Sequence, residues 1–457
     1  MKEYYLGGDV SKGYCDFLIL DKSNRIVEKN FQLDDTPGGH NLLINKIRSL
    51  LESNPQSVLY GGFESTGGYE NNWLHLLKKL SSTHNVKVAR LNSKGVSYHH
   101  KASLNRNITD PISAKNIAQY LITYPSKANY NQETLYQDAR SLYGHIEMLT
   151  KQNTQQLNVL ESELYRSNPS LMCYWKDEMP DWLLAVIRKW PTAEALSQAS
   201  VAKIALIPYV SKERAKELKK NAQISVASAA SQVMATAIES MATQLIQNRE
   251  VIKKRKKDLY RLCPLPEVEI LKSMPSISDY TAYGVILEID GIERFANAKK
   301  LCSYFGVHPV YKDSGDGVWG YHMSKQGRRR PRRLLYMSAM NAVKRDPVFK
   351  ELYEKHTGAG RTGRDALCIV MHKMVRIIYS LLTNRCKYDP RINQMHRAKY
   401  EENKKGNKTR KVDSSRRFQM YDDRAPISGR QNKKRHEIDK ENENITSNYF
   451  EKSASGT

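Results

Sequence analysis

The spacing of apolar positions changes several times along the first part of the chain. Tyr4–Val10 is a short apolar segment, and Cys15–Leu20 and Arg25–Phe31 follow as β-rich runs separated by turn residues. Such runs predict a three-strand meander. Gly39–Leu51 then carries Leu42, Leu43, Ile47, Leu50 and Leu51 at helical spacing. A strand is expected over Ser57–Phe63, a helix over Tyr69–Leu80 and a strand over Val86–Leu91, and a helical segment opens at Asp110 in TDPISAKNIAQYL. Strands alternating with helices after a meander predict an α/β domain with a mixed sheet over residues 1–125.

From Asn131 the pattern turns helical. Leu135, Ala139, Leu142, Ile146, Leu149, Asn153, Leu157, Leu160 and Leu164 alternate steps of three and four, a heptad-like seam with Asn153 as its polar, register-setting member. A second seam runs through Met234, Ile238, Met241, Leu245, Asn248, Ile252, Arg255 and Leu259. Between them lies a helical insert containing Pro180, Trp182, Trp190 and PTAEAL. The expected arrangement over 126–260 is an antiparallel coiled coil with a helical cap, its seam forming core. Over 261–395, Leu271–Ile289 reads as helix–turn–helix with Pro275 at the turn, and Ala366–Leu382 as an amphipathic helix closing a mostly helical domain. Residues 396–457 are polar and charged, the pattern of a disordered basic tail.

Charge sharpens this picture. Among 457 residues, 73 Lys and Arg face 48 Asp and Glu, a formal charge of +25. That excess points to a polyanionic partner, usually nucleic acid. No apolar run reaches the ~20 residues expected of a spanning helix, and MKEYYLGGDVSKG has no apolar h-region. The six cysteines are scattered without a C-x-x-C pair, which argues against a disulfide framework and a zinc site. A reducing cytoplasm fits best.

Three acids stand at informative positions. Asp9 sits inside the first strand, where aspartate is disfavoured. Glu64 ends the fourth strand and is followed by Ser65-Thr66-Gly67-Gly68, and ligands of open α/β sheets gather at such strand ends. Asp110 opens a helix, where an N-cap is the ordinary reading, helped by Pro111. If the three converge they would hold Mg²⁺, a hard cation that takes oxygen ligands. Taken singly, each reads first as structural or solvated, Asp9 inside its strand being the hardest to explain that way.

The other informative stretch is Lys312–Arg333, KDSGDGVWGYHMSKQGRRRPRR. It sets Ser314 in a loop with Gly315, Asp316, Gly317 and Gly320, then supplies Lys325, Arg328, Arg329, Arg330, Arg332 and Arg333. Guanidinium groups suit phosphate oxygens, so a hydroxyl here could attack a phosphodiester. The alternative is a turn and a basic helix, with Lys312, that only grip a nucleic-acid backbone. Ser324, Tyr311 and Tyr321 are competing hydroxyls, and Trp319 and Tyr321 could stack on bases. His372 and His99-His100 read as packed or solvated.

Together, GGDVSK near the N-terminus, FESTGGY at Phe63–Tyr69 and TDxxxA at Thr109–Ala114 resemble the DEDD transposases of insertion sequences, a family that includes the Piv-type DNA invertases. The order of hairpin, F-x-x-A-x-x-L-x-x-Y-x-G, Ser-Gly loop, S-K-x-G and basic helix resembles that family's C-terminal transposase domain. The resemblance covers roughly residues 4–390. It implies a RuvC/RNase H-like N-terminal domain, a coiled-coil middle and a mostly helical C-terminal domain. Asp9, Glu64 and Asp110 match the first three acidic Mg²⁺ ligands, and Ser113 stands where the family has its fourth acid. Ser314 matches the nucleophilic serine, which implies a phosphoserine–DNA intermediate. Ser276 and Ser278 replace glycines that the family usually carries in its hairpin. The resemblance further implies DNA ends and target as substrates, a non-coding guide RNA and a homo-oligomer. A metal-only nuclease or resolvase, and a binding protein that has lost cleavage, are the competing readings.

Overall fold

A computed structural model describes residues 2–104, 107–128, 136–175, 178–229, 231–310, 313–314, 317–318 and 322–392, with a few short stretches beyond. Leu135, Tyr311, Lys312, Gly315, Asp316, Trp319, Gly320, Tyr321 and most of the expected basic tail lie outside the described residues. The chain divides into two compact units, Met1–Thr134 and Leu135–Thr457.

The first unit is a mixed α/β layer built from β1 (Glu3–Ser11), β2 (Tyr14–Asp21), β3 (Ile26–Asp34), α1 (Pro37–Glu52), β4 (Val58–Glu64), α2 (Glu70–Leu80), β5 (Val86–Leu91), α3 (Ser93–Ala102) and α4 (Asp110–Thr123). The sheet order is β3-β2-β1-β4-β5, with β1 to β3 antiparallel and β1, β4 and β5 mutually parallel. Strand alternation sends Leu6, Phe17 and Phe63 to one face, against Leu43 of α1 and Trp73 and Leu77 of α2. Tyr5, Leu18 and Leu91 go to the other, against Ala114, Ile117 and Leu121 of α4.

Two glycines explain how tightly α4 lies on the sheet. A Cβ at Gly7 would stand 2.0 Å from the Ala114 carbonyl oxygen, and one at Gly62 would stand 2.9 Å from Leu121 Cδ1. Glycine inside a strand marks such a close approach. The helix α3 had no expectation in the sequence. It buries only Val96 and His100, too few positions to leave an apolar stripe.

The second unit is helical. Its α5 (Gln137–Ser167) and α10 (Gln232–Leu262) run antiparallel, and between them come α6 (Asp181–Lys189), α7 (Ala193–Gln198), α8 (Val201–Ala205) and α9 (Lys212–Gln223). The two seams do not form one continuous core. Leu160 and Leu164 join Ile238 and Leu245 in the core of the insert, whereas Tyr143, Ile146 and Leu259 belong to the C-terminal core. A polar stretch separates them, where Gln156 Nε2 donates to Gln244 Oε1 at 2.7 Å and Asn248 Nδ2 donates to Gln156 Oε1 at 3.2 Å. Asn153 is therefore not the register-setting amide. Its Oδ1 is buried without a partner, while Gln156, one turn on, makes the cross-helix bonds.

The C-terminal part continues with α11 (Pro266–Lys272), α12 (Asp279–Ile289), α13 (Ala298–Phe305), four two-residue strands β6 (Pro309–Val310), β7 (Asp313–Ser314), β8 (Gly317–Val318) and β9 (His322–Met323), then α14 (Arg329–Arg345), α15 (Pro347–Gly358) and α16 (Gly363–Asn384). The helical hairpin forms as expected, and Ser278 is the N-cap of α12, its hydroxyl accepting from Thr281 N at 3.3 Å. One expectation needs correction, because by length and composition alone α16 is apolar enough to cross a membrane. Half of that stretch is buried, with Val370, Met371, Met374 and Ile378 inside the C-terminal core. Its apolar length is the signature of a central core helix.

Candidate active site

The acids of the first unit share one sheet face. Asp9 follows Gly8 in β1, and Glu64 follows Phe63 in β4, Gly8 and Phe63 being register partners. Both acids therefore sit at the carboxyl ends of neighbouring parallel strands, on the face covered by α4. That helix begins at the same end of the sheet. Its N-cap is Thr109, so Asp110 falls in the first turn and is not spent on capping. The close contact at Gly7 fixes α4 by its backbone, which brings the turn holding Asp110 and Ser113 over β1.

The electrostatics follow from this grouping. The Asp9 carboxyl is raised to about 6, first by burial, then by the negative charge of Asp110 and, more weakly, of Asp16; the Ser113 hydroxyl opposes the rise by hydrogen bonding. Glu64 is raised to about 7, mainly by burial and then by Asp9, with Ser93 opposing. No set of three or more His, Cys, Asp or Glu among the described residues stands close enough to hold a metal ion. Carboxylate and hydroxyl oxygens at the end of a buried strand are of the donor type a hard divalent cation accepts.

Sequence reasoning missed two neighbours. Glu70, 2 % exposed, accepts from Thr66 N, Thr66 Oγ1 and Gly68 N at 2.9–3.3 Å and pairs with Arg90 at 3.1 Å. It ties down the Ser-Thr-Gly-Gly turn beside Glu64, in which Gly67 and Gly68 take positive φ. The other is Asp16, 3 % exposed and the cross-strand partner of Asp9. It was legible in principle. A two-residue turn at Lys12-Gly13 between Ser11 and Tyr14 fixes the register that sets Asp16 opposite Asp9.

In the second unit, Ser314 stands in β7 and pairs with Gly317 of β8, while Pro309–Val310 pairs with His322–Met323. The expected loop is thus a short antiparallel ladder at this position. Ser324 is used locally, its N–H donating to His308 O and its Oγ accepting from Gln326 N. The S-K-x-G turn explains two motif glycines together. Gly306 (φ +67) caps α13, and a Cβ there would meet Gln326 O at 2.8 Å, while a Cβ at Gly327 (φ +154) would meet Tyr304 O at 2.5 Å.

The basic residues separate into two groups. Arg330 Nε donates to Glu147 Oε2 at 2.6 Å and its Nη1 to Glu288 Oε1 at 2.8 Å. Arg333 pairs with Glu147 at 2.5 Å, and Arg328 with Glu288 at 3.6 Å. Arg332 donates to Phe305 O and Lys325 O, clamping the S-K-x-G turn. Arg330 and Arg332 thus hold this unit together, whereas Arg329 and Lys325 present exposed charge.

Comparison with known proteins matches a family model described as DEDD_Tnp_IS110, Transposase, over residues 6–169, and the Transposase IS116/IS110/IS902 family over residues 268–354. The chain carries both signatures of the IS110-type transposase family. Similar proteins include the insertion element IS110 uncharacterized 43.6 kDa protein of Streptomyces coelicolor, 25% identical over 35% of this chain and 39% of that protein. The insertion element IS116 uncharacterized 44.8 kDa protein of Streptomyces clavuligerus is 29% identical over 27% of this chain and 31% of its own length. A pilin gene-inverting protein of Moraxella bovis is 25% identical over 27% of this chain and 39% of its own. Each match spans about two fifths or less of the relative's length. The first family model takes in Asp9, Glu64 and Asp110, and the second takes in Ser314 and Arg328–Arg333.

Proposed function

We propose that this chain is a DNA transposase or site-specific recombinase of a mobile element, with an RNase H-like metal domain and a C-terminal serine domain. The observation that carries this reading is the placing of Asp9 and Glu64 at neighbouring strand ends under the first turn of α4, which holds Asp110, with the Asp9 and Glu64 carboxyls raised by burial and then by neighbouring negative charge, in a chain matched by both transposase models. Asp9, Glu64 and Asp110 would hold Mg²⁺. When bound, the ion supplies charge stabilisation for the phosphoryl oxygens.

In this reading the Ser314 hydroxyl attacks the scissile phosphorus. A P–O bond to Oγ forms as the bond to the 3′ oxygen breaks, and the serine proton is balanced by one gained at the new 3′-hydroxyl. Strand exchange runs the step backwards. Lys312, Lys325, Arg328, Arg329 and Arg333 would bind the DNA backbone, and Arg330 and Arg332 would contribute through their pairing within the fold. A guide RNA and a homo-oligomer belong to the proposal through the family resemblance. The charge of +25 is compatible with binding both nucleic acids.

Trapping of a protein–DNA adduct with the element's ends, flanking RNA and Mg²⁺ tests this. The adduct should form with wild type and disappear in Ser314→Ala. Cleavage without an adduct would move the chemistry to the acids alone and favour a nuclease. Ser113 in the fourth-acid position favours one second reading, a binding protein that has lost cleavage, and an adduct formed only by Ser113→Asp would establish it.

A further inference from the structure

We infer that the outward face of helix α16, with Arg364, His372, Lys373 and Arg376, joins His308 and Lys325 in the surface that holds the DNA backbone beside the Ser314 ladder. The inference rests on the transposase reading above and names the surface that would deliver a strand to the serine.

Helix α16 sets the positions. Its buried side is apolar, from Ala366 and Val370 to Leu381 and Leu382. Steps of four along the rest place Arg364, Cys368, His372 and Arg376 one turn apart, and residues at that spacing are surface neighbours. From Arg364 to Arg376 the helix rises about 18 Å, a length suited to a run of phosphates and not to a single carboxylate. The other two residues come from the ladder. His308 stands immediately before β6 and Lys325 two residues after β9, and those paired strands lead to and from the β7–β8 pair that contains Ser314. Electrostatic reach ties the two parts together. Burial and then Asp365 raise the Cys368 thiol, and the charges of Lys325 and Arg364 both oppose that rise. His308 in turn acts on His372.

What marks this face is positive charge without compensation. Arg364 and Arg376 are exposed, and His372 and Lys373 are half-buried. Burial, and then the charge of Arg376, holds the Lys373 ammonium below its usual range. Burial, then Arg376 and His308, holds the His372 imidazole below its own. The only acid in α16, Asp365, accepts from Thr362 Oγ1 at 2.7 Å within the N-cap. No ion pair joins any of the six residues to a carboxylate among the described residues. His308 Nδ1 is buried without a hydrogen-bond partner among them. An ordinary solvated helix face alternates the signs of its charges. Here like charges crowd one side, which is unfavourable until an anion meets them. The arginine run after Ser314 differs, because Arg328, Arg330 and Arg333 meet Glu147 and Glu288. A phosphate backbone satisfies the charge and the length of this face and suits the neighbouring hydroxyl.

The test is titration of the full chain with a fluorescent DNA duplex over a range of salt concentrations, together with adduct trapping. Arg364→Gln combined with Arg376→Gln should flatten the dependence of log Kd on log salt by about two. It should also weaken duplex binding at all sequences alike and reduce the Ser314 adduct, with an unchanged melting temperature. Arg364→Lys with Arg376→Lys should keep the wild-type slope, since both charges remain. As a control, Lys212→Gln with Lys216→Gln removes the same charge from exposed positions on α9 and should leave slope and adduct unchanged. Equal losses in the control, or a glutamine variant that binds duplex and forms adduct like wild type, overturn the inference while the transposase reading stands. A loss confined to single-stranded RNA also overturns it and assigns the face to RNA. If wild type neither binds duplex nor forms an adduct, the transposase reading falls as well. Should the double variant not fold, each single substitution carries the test, with a slope change of about one.

Discussion

Replacing Asp9 by asparagine should stabilise the metal-free protein above neutral pH and should cost it the cation. Asp9 rises from 3.8 to about 6, corresponding to roughly 3 kcal/mol against the charged native form. Solvent access at the strand end reduces this to about 1–2 kcal/mol. The sign follows from proton counting. Between the unfolded value near 4 and the folded value near 6, the native state holds the proton and the unfolded state has released it, so stability falls as pH rises. Below pH 4 both states are protonated and the asparagine gains nothing. Thermal unfolding of both proteins in chelator at about pH 3.5 and pH 8 should show nearly equal midpoints at the lower pH. At the higher pH, Asp9→Asn should melt a few degrees above wild type. Adding millimolar Mg²⁺ should then raise wild type alone, since only it gains from ligand binding to the native state. A loss of stability in Asp9→Asn at pH 8, or a gain independent of pH, would refute the assignment of a buried, repelled carboxylate.

Other outcomes follow from the same reasoning. Glu64 is raised to about 7, so Mg²⁺ or Mn²⁺ affinity should climb steeply between pH 5.5 and 7.5 as Asp9 and Glu64 deprotonate, a titration that calorimetry can read directly. Gly7→Ala drives a Cβ into the Ala114 carbonyl and should cost about 3 kcal/mol, with cation binding lost because α4 moves away from Asp9; denaturant unfolding and Mn²⁺ titration check it. Arg330→Met removes the guanidinium that bridges Glu147 and Glu288, leaving them to the more exposed Arg333 and Arg328, and should destabilise the second unit by about 1–2 kcal/mol. Arg329→Ala should leave stability unchanged while weakening DNA binding at all sequences alike and reducing the salt slope by about one.

The alternation of strands and helices was legible along residues 3–91 and again from Asp110 because those elements carry their own apolar period, whereas α3 leaves no apolar stripe, and the β1–β2 register follows from one short turn. The acids Asp9 and Glu64 were legible as oddities at strand positions. Their meeting was not, since it depends on α4 lying close enough for Gly7 to touch Ala114, a contact between segments about a hundred residues apart. Asp16 escaped notice because an aspartate near a turn is unremarkable until the ladder sets it opposite Asp9. The basic run after Ser314 read as uniform phosphate-binding charge. Tertiary structure divided it, giving Arg330 to Glu147 and Glu288 and Arg332 to backbone carbonyls, because those carboxylates come from α5 and α12. Likewise the two seams read as one coiled coil, and packing split them into two cores around an amide pair that Gln156 makes and Asn153 does not. Local period determines which segments become helix or strand; the partners of charged and polar side chains are decided by what other segments bring to them.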